Sequence, residues 1–359
     1  MKFLTKNSKE FLYNYMNNAA PTGYETSGQK IWLEYIKPFV DEVHLDDYGT
    51  AYGVINPGKN FSVAIEAHAD EIAWYVNHIS DNGYINVIRN GGSDHMIAPA
   101  KRVVIHTKKG PVKGVFGWPA IHTRRKKEDD PTPNMKNIFI DVGAKDKDEV
   151  LKMGVHVGCV ITFIDEFDTL NGEYFYGKAL DNKMGGFCIA EVGRMLKKNK
   201  KKLPYTLYII NAVQEEIGLR GAEMIAARLK PNVAIVTDVT HDTTTPLLKT
   251  KELGEIKCGK GPTLTYAPAV QRKLLELIID TATKKKIPFQ RSAASRSTGT
   301  DTDAFAYSSG GIPSALISLP LKYMHTTVEM AAASDVENVS KLIYETLLKI
   351  KNGHNFKYF

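Results

Sequence analysis

The sequence is poor in cysteine. Cys159, Cys188 and Cys258 are its only three, scattered and never paired as C-x-x-C. A disulfide framework and a paired-thiolate zinc site are therefore excluded, and a reducing cytoplasm is the expected location. No apolar run approaches 18 residues, so no membrane-spanning helix is expected. The opening stretch MKFLTKNSKEFLYNYM places Lys6, Lys9 and Glu10 where a signal peptide needs an unbroken apolar segment, and secretion by that route is not expected. An aromatic-interleaved basic stripe is also lacking. Base exceeds acid, 47 Lys and Arg against 40 Asp and Glu, for a formal net charge of +7. The excess sits in short runs at 124–127, 197–202 and 284–286. The last two close apparent helices, where cations suit the negative end of the dipole. The first is followed at once by Glu128-Asp129-Asp130. Neither nucleic acid nor a membrane is expected as a partner.

What is present is an ordinary globular composition, 43% hydrophobic and 24% charged over 359 residues. That length favours roughly two domains. Short, β-branched, nearly continuous apolar runs at 61–67, 206–213, 232–237 and 313–318 suit strands buried on both faces. Helix-period stretches at 183–198, 219–229, 269–285 and 335–351 lie between and after them. The pattern predicts an α/β domain, a mostly parallel sheet sandwiched by helices. From about 74 to 165 the period changes. Short alternating runs at 84–88, 102–106, 138–142 and 160–164, punctuated by turn residues, predict an all-β, barrel-like insertion. The expected division is 1–73 with 166–359, interrupted by 74–165. The charged segment 124–137 is read as a mobile loop of the insertion.

Five short motifs carry chemistry. His68-Ala69-Asp70 ends the run at 61–67, and Leu180-Asp181-Asn182 opens the helix near 183. Glu215-Glu216 follows 206–213, Asp238 follows 232–237, and His325 lies seven residues past 313–318. Ligands of open α/β sheets bind beyond the carboxyl ends of the strands. Taken singly, each motif has an ordinary reading as a cap, a turn or a solvated pair. Together they supply two imidazoles and a surplus of carboxylates without thiolate, which suits Zn²⁺, Mn²⁺ or Co²⁺. One metal does not need so many acids; two do. With Asp181 bridging, His68 and Asp238 complete one site and Glu216 and His325 the other. Two metals about 3.5–4 Å apart can share one water, lower its pKa toward about 7 and polarise a carbonyl. Glu215, beside the ligand Glu216, is the candidate general base. Asp70 can accept the free ring N–H of His68. His122, His241-Asp242, Asp301 and Asp303 have suitable chemistry but no place in the combination.

In this order the motifs resemble the two-metal aminopeptidases, and most closely the tetrahedral aminopeptidase family, whose members are often called glutamyl aminopeptidases. The resemblance is carried by Ala67-His68-Ala69-Asp70-Glu71-Ile72, by Ala179-Leu180-Asp181-Asn182-Lys183-Met184-Gly185-Gly186 and by Gln214-Glu215-Glu216-Ile217-Gly218-Leu219-Arg220-Gly221-Ala222. Gly310-Gly311-Ile312-Pro313 and Met324-His325-Thr326-Thr327-Val328-Glu329-Met330 add to it. It implies two divalent ions per subunit held by His68, Asp181, Glu216, Asp238 and His325, with Zn²⁺ ahead of Co²⁺ and Mn²⁺. It also implies Asp181 as bridge, Glu215 as base, Asp70 as the carboxylate behind His68, and a cis peptide after Asp181. Peptides are the implied substrates, and dimers assembling into a dodecamer the implied oligomer, with the insertion as dimerisation and gating domain. Departures are small: Ala69 and Ala73 stand where relatives often have Met and Gly. Arg291, Arg296 and Lys322 are candidate anchors for an acidic substrate side chain, although spacing alone does not select the preferred N-terminal residue. Three readings compete: a metal-dependent deacylase or carboxypeptidase on the same scaffold, a metal-free glycosidase with two carboxylates, and a scaffold with a closed structural metal.

Overall fold

The computed structural model describes residues 3–124 and 130–359; within the segment expected to be mobile, 125–129 lie outside the described residues. The chain forms two compact units. One comprises Met1–Glu71, Phe167–Met324 and Val328–Phe359, the other Ile72–Glu166 with His325–Thr327.

The first unit opens with strands β1 (Glu42–Leu45), β2 (Ala51–Ile55) and β3 (Ser62–His68). The second unit follows with β4 (Ala73–Ile79), β5 (Ile85–Asn90), β6 (Arg102–Thr107), β7 (Gly110–Phe116), β8 (Ile140–Asp141) and β9 (Val160–Phe163). These six close into a barrel in the order β4-β5-β8-β7-β6-β9. Its interior is apolar, with Trp74, Phe116 and Ile161 buried and Trp74 set edge-on to Phe116.

The chain then returns through β10 (Asp168–Leu170), β11 (Tyr174–Gly177), β12 (Thr206–Ala212), β13 (Val233–His241), β14 (Thr263–Tyr266), β15 (Gln290–Ala293), β16 (Ser314–Leu321) and β17 (Glu329–Ala332). Five of these strands join β1, β2 and β3 in one sheet of order β1-β2-β12-β3-β13-β16-β14-β15; β10, β11 and β17 form a small second one. The centre of the large sheet, β12-β3-β13-β16, is parallel throughout. Every residue of β3 is buried, the signature of a strand covered on both faces. The helix Leu180–Lys198 packs on β3, β12 and β13 and against the helix Ala333–Leu347. The helices Arg220–Leu229 and Asp301–Ala306 form a separate group on β12, β13 and β16.

Two differences from the sequence reading bear on the site. The third predicted strand runs on past 237 to His241, because β16 stays paired with it through His241↔Leu321. On its other side β3 leaves after Val236↔Glu66. Asp238 therefore sits inside a strand, on the edge that β3 has vacated. The barrel also has a strand at Ala73–Ile79 that alternation did not reveal, since a register shift between Val76 and His78 interrupts its pairing with β5.

Candidate metal centre

His68 is the last residue of β3, and its ring is 1% exposed. Around it the sheet and helix ends deliver carboxylates. Asp181 Oδ1 lies 3.1 Å from Nε2, Asp238 Oδ1 3.8 Å and Glu215 Oε2 3.9 Å, while Asp70 Oδ1 lies 3.4 Å from Nδ1. Two sets of potential ligand atoms fall within 4.8 Å of one another: His68, Asp181 and Glu216, and His68, Glu215 and Asp238. The adjacent glutamates fall in different sets, and they do so from a turn beyond the last residue of β12 rather than from the strand expected to end there.

Each side chain is held by its own local structure. Asp181 follows Leu180 at the start of the helix Leu180–Lys198, with its own backbone not yet helical; its peptide bond to Asn182 is cis, and its N–H donates to Glu329 Oε2 at 3.1 Å. Asn182 Nδ2 donates to Thr237 O, tying the helix start to the residue before Asp238. Glu215 and Glu216 lie just past β12, after Gln214 at φ +58°. The turn is closed by Gly218 N–H and Leu219 N–H, both donating to Glu215 O. Asp70 holds this turn from beneath: its Oδ1 accepts Glu215 N–H at 3.0 Å and its Oδ2 accepts Glu216 N–H at 3.2 Å. Thr22 Oγ1 donates to the same Oδ2 at 2.8 Å.

The electrostatics follow from crowding. Burial pushes the Glu215 carboxyl up to about 10, His68 only partly opposing, with Asp238, Asp301 and Glu216 adding to the rise. Asp238 is raised well above the ordinary range by burial, against His68 and with Asp181. Burial works against charging His68, yet Glu215, Asp181, Asp70 and Asp238 together raise it well above an ordinary imidazole. Such a set holds protons where positive charge is wanted, and its donors are imidazole and carboxylate. It fits hard-to-borderline divalent cations.

The sequence reading missed Glu66, Glu25 and Glu329. Glu66 is two residues before His68 on the same face of β3; burial raises it to about 8, and Asp301 is raised well above its ordinary value by burial and by Glu66. A charged residue inside a fully buried strand run was the available signal. His325 belongs with the second unit, at φ +61°. Its ring lies so close to Gly92 that a Cβ there would stand 2.5 Å from Nδ1. Neither three-residue ligand set includes it among the described residues. His122 and His241 are exposed, Asp242 accepts from Thr244 and Cys258 N–H, and Asp303 accepts from Thr298 and Gly299 N–H. Arg291 and Arg296 are exposed and Lys322 half-buried; Arg291 stacks over Phe289.

A family profile described as M42 glutamyl aminopeptidase matches residues 49–342. The chain belongs to the M42 family. It is a peptide hydrolase. A lysyl aminopeptidase of Pyrococcus furiosus is 33% identical over 344 residues, 95% of this chain and 97% of the relative. A TET aminopeptidase from a marine-sediment Thaumarchaeota archaeon superposes with a TM-score of 0.91 at 31% identity, covering 97% of this chain and 98% of that one. The TET1 peptidase of Pyrococcus horikoshii, described as assembling into a tetrahedron or a large octahedral shell, has a TM-score of 0.83 at 27% identity over 96% of this chain and all of its own. The M42 chain has no helix, among its described residues, long and apolar enough to cross a membrane.

Proposed function

We propose that the chain is a two-metal aminopeptidase that removes residues from the N-termini of peptides. The observation that carries this reading is the gathering of Asp181, Glu215, Glu216 and Asp238 about a buried His68 at the carboxyl end of the parallel sheet. His68, Asp181, Glu216, Asp238 and His325 would hold the ions, with Asp181 shared between them; the assignment of His325 rests on its sequence motif alone. Zn²⁺ is the first choice, with Co²⁺ and Mn²⁺ as alternatives. Divalent ions bound there supply Lewis acidity toward the scissile carbonyl and acidify a water. Glu215 takes the attacking water's proton and passes it to the leaving amine. Asp70 faces Nδ1 of His68 and fixes the ring's orientation.

The three cysteines are free and buried, which supports a cytoplasmic location. The tetrahedral or octahedral shell described for the Pyrococcus horikoshii relative supports an oligomeric assembly; dimers joining into a dodecamer, with the barrel unit as dimerisation and gating domain, are the form proposed for this chain. The family's description names glutamate and the Pyrococcus furiosus relative's names lysine, so the preferred residue is a matter for measurement.

The test uses matched peptides with free and N-acetylated termini, incubated with and without chelator and read by mass spectrometry. A ladder from free N-termini only, abolished by chelator and restored by Zn²⁺, Co²⁺ or Mn²⁺, is expected, and its steps give the residue preference. Cleavage of the acetylated peptides, or release from the C-terminus, would replace this reading with the deacylase or carboxypeptidase.

A further inference from the structure

Three consecutive amides at the turn after β12 point at buried carboxylates. Glu215 N–H and Glu216 N–H donate to the two oxygens of Asp70. The third, Gln214 N–H, donates to Glu25 Oε1 at 3.3 Å. Glu25 comes from the far end of the sequence, directly before the helix Thr26–Ile36, and is 3% exposed. The bland reading of an acid in that place is a helix cap. The geometry argues otherwise, since its side chain makes no capping bond to its own helix. It turns back instead, and the same Oε1 accepts Gly23 N–H at 2.7 Å.

The segment before Glu25 is fixed to the strand end that carries Asp70. Thr22 N–H donates to Glu71 O, Glu71 N–H donates to Ala20 O, and Thr22 Oγ1 donates to Asp70. Tyr24 N–H donates to Pro21 O, closing a turn in which Gly23 takes φ +84°, a conformation glycine adopts without strain. One oxygen of Glu25 therefore ties a turn anchored on Asp70 and Glu71 to the first residue of the turn that carries Glu215. Gln214 is itself in the left-handed region at φ +58°, where a non-glycine residue persists only when its surroundings hold it. Burial, with Asp70 nearby, pushes the Glu25 carboxyl up to about 7, so the chain keeps an acid here against its solvation preference.

We infer that Glu25 is a positioning residue for the general base, fixing through the Gln214 amide the backbone from which the Glu215 carboxylate is aimed. The inference rests on the assignment of Glu215 as base. A base displaced by a fraction of an ångström still permits substrate to bind but lowers the rate of the proton transfer, so the effect belongs on kcat rather than on KM. Glutamine at this position keeps an oxygen acceptor of the same reach; alanine does not.

The experiment compares Glu25→Ala, Glu25→Gln and Glu215→Gln in the full-length, metal-loaded enzyme, with kcat, KM, metal content and Tm read for each. Glu25→Ala is expected to lose about 10–100-fold in kcat, with KM within about twofold and metal content unchanged. Glu25→Gln is expected to stay within about threefold of the parent in kcat. Should Glu25→Ala fail to fold, Glu25→Asp, which withdraws the carboxylate by one methylene, carries the same expectation for kcat and KM. Equal losses in the alanine and glutamine variants, or a loss that tracks metal content, would overturn the inference. An inactive Glu215→Gln beside a wild-type Glu25→Ala would sink this inference alone. A fully active Glu215→Gln would sink the assignment of the base and this inference with it.

Discussion

Residues 70 and 71 are neighbours, yet they belong to two buried acid assemblies of opposite character. Glu71 is compensated by the chain itself. It pairs with Lys178 and, at 3.6 Å, with Lys183, and it accepts Ala20 N–H at 2.7 Å. Burial alone would raise its carboxyl, but the two ammonium groups outweigh burial and bring it down to about 2. Lys183 is wholly buried, which lowers it to about 8 while Glu71 pulls it back, so the pair is ionised at neutral pH. The lysine also donates to Tyr15 O, Met16 O and Asn18 O, the carbonyls that end the helix Lys6–Asn17. Asp70 stands in the other assembly, where one imidazole faces several acids and Glu215 is pushed up to about 10 rather than down. Burial is similar in the two cases. The sign of the shift is set by who brings the positive charge. The first assembly is a strut finished by the polypeptide; in the second the acids outnumber the one imidazole, which suits the proposed cation-binding centre.

The largest way to test that contrast acts on the second assembly. Glu215→Gln should lose roughly 10²–10⁴ in kcat with metal content unchanged by elemental analysis. With the proposed bridging role, Asp181→Ala should lose both metals together; a variant that kept one ion would break that assignment. On the first assembly, Glu71→Ala leaves two lysines without their partner and should lower unfolding free energy by about 3–5 kcal/mol in urea titrations, with metal still bound. A change below about 1 kcal/mol would remove Glu71 from the role of strut. Chelation should act only on the second assembly. Stripping an ion present at about 100 times its Kd removes about 2.7 kcal/mol, seen as a lower Tm in the parent and as little change in Asp181→Ala. The smallest effect is in acid. Because the folded pKa of Glu71 is depressed from 4.5 to about 2, its stabilising contribution is present above 4.5 and lost as pH falls through about 2. In metal-free protein, the difference in urea midpoint between parent and Glu71→Ala should be flat from about pH 5 to 7 and close below. A difference that instead vanished near neutrality would contradict the pairing with Lys178 and Lys183.

Much of this arrangement was legible in the sequence, for identifiable reasons. The strands around 61–67, 206–213 and 313–318 are buried on both faces and so read as unbroken β-branched runs. His68 ends a strand and Glu215 and Glu216 follow one, where a reversal from apolar to ionisable residues is visible by eye. The extension of β13 to His241 was hidden because its last residues, Thr240 and His241, are polar and hold their places through pairing with β16 rather than through burial. The strand Gly110–Phe116 was masked by Gly110 and Pro111, which read as turn residues though they pair with Thr107 and His106. Glu25 was illegible for a different reason. Its role depends on an amide 189 residues away, and no local pattern encodes a hydrogen bond across that separation.

The register of β12 on β3 has a consequence for how the protein matures. Ala212 is paired with His68, and the turn bearing Glu215 begins only after that pair. A slip of one residue between these strands would turn alternate side chains to the wrong face and carry both glutamates away from the imidazole. No contiguous stretch of the chain contains a complete ligand set, since His68 precedes the barrel and the acids that join it follow. On the proposed ligand set, the site is complete only once the parallel sheet is zipped in its final alignment. Metal binding at that site would in that sense follow the alignment of the sheet rather than precede it.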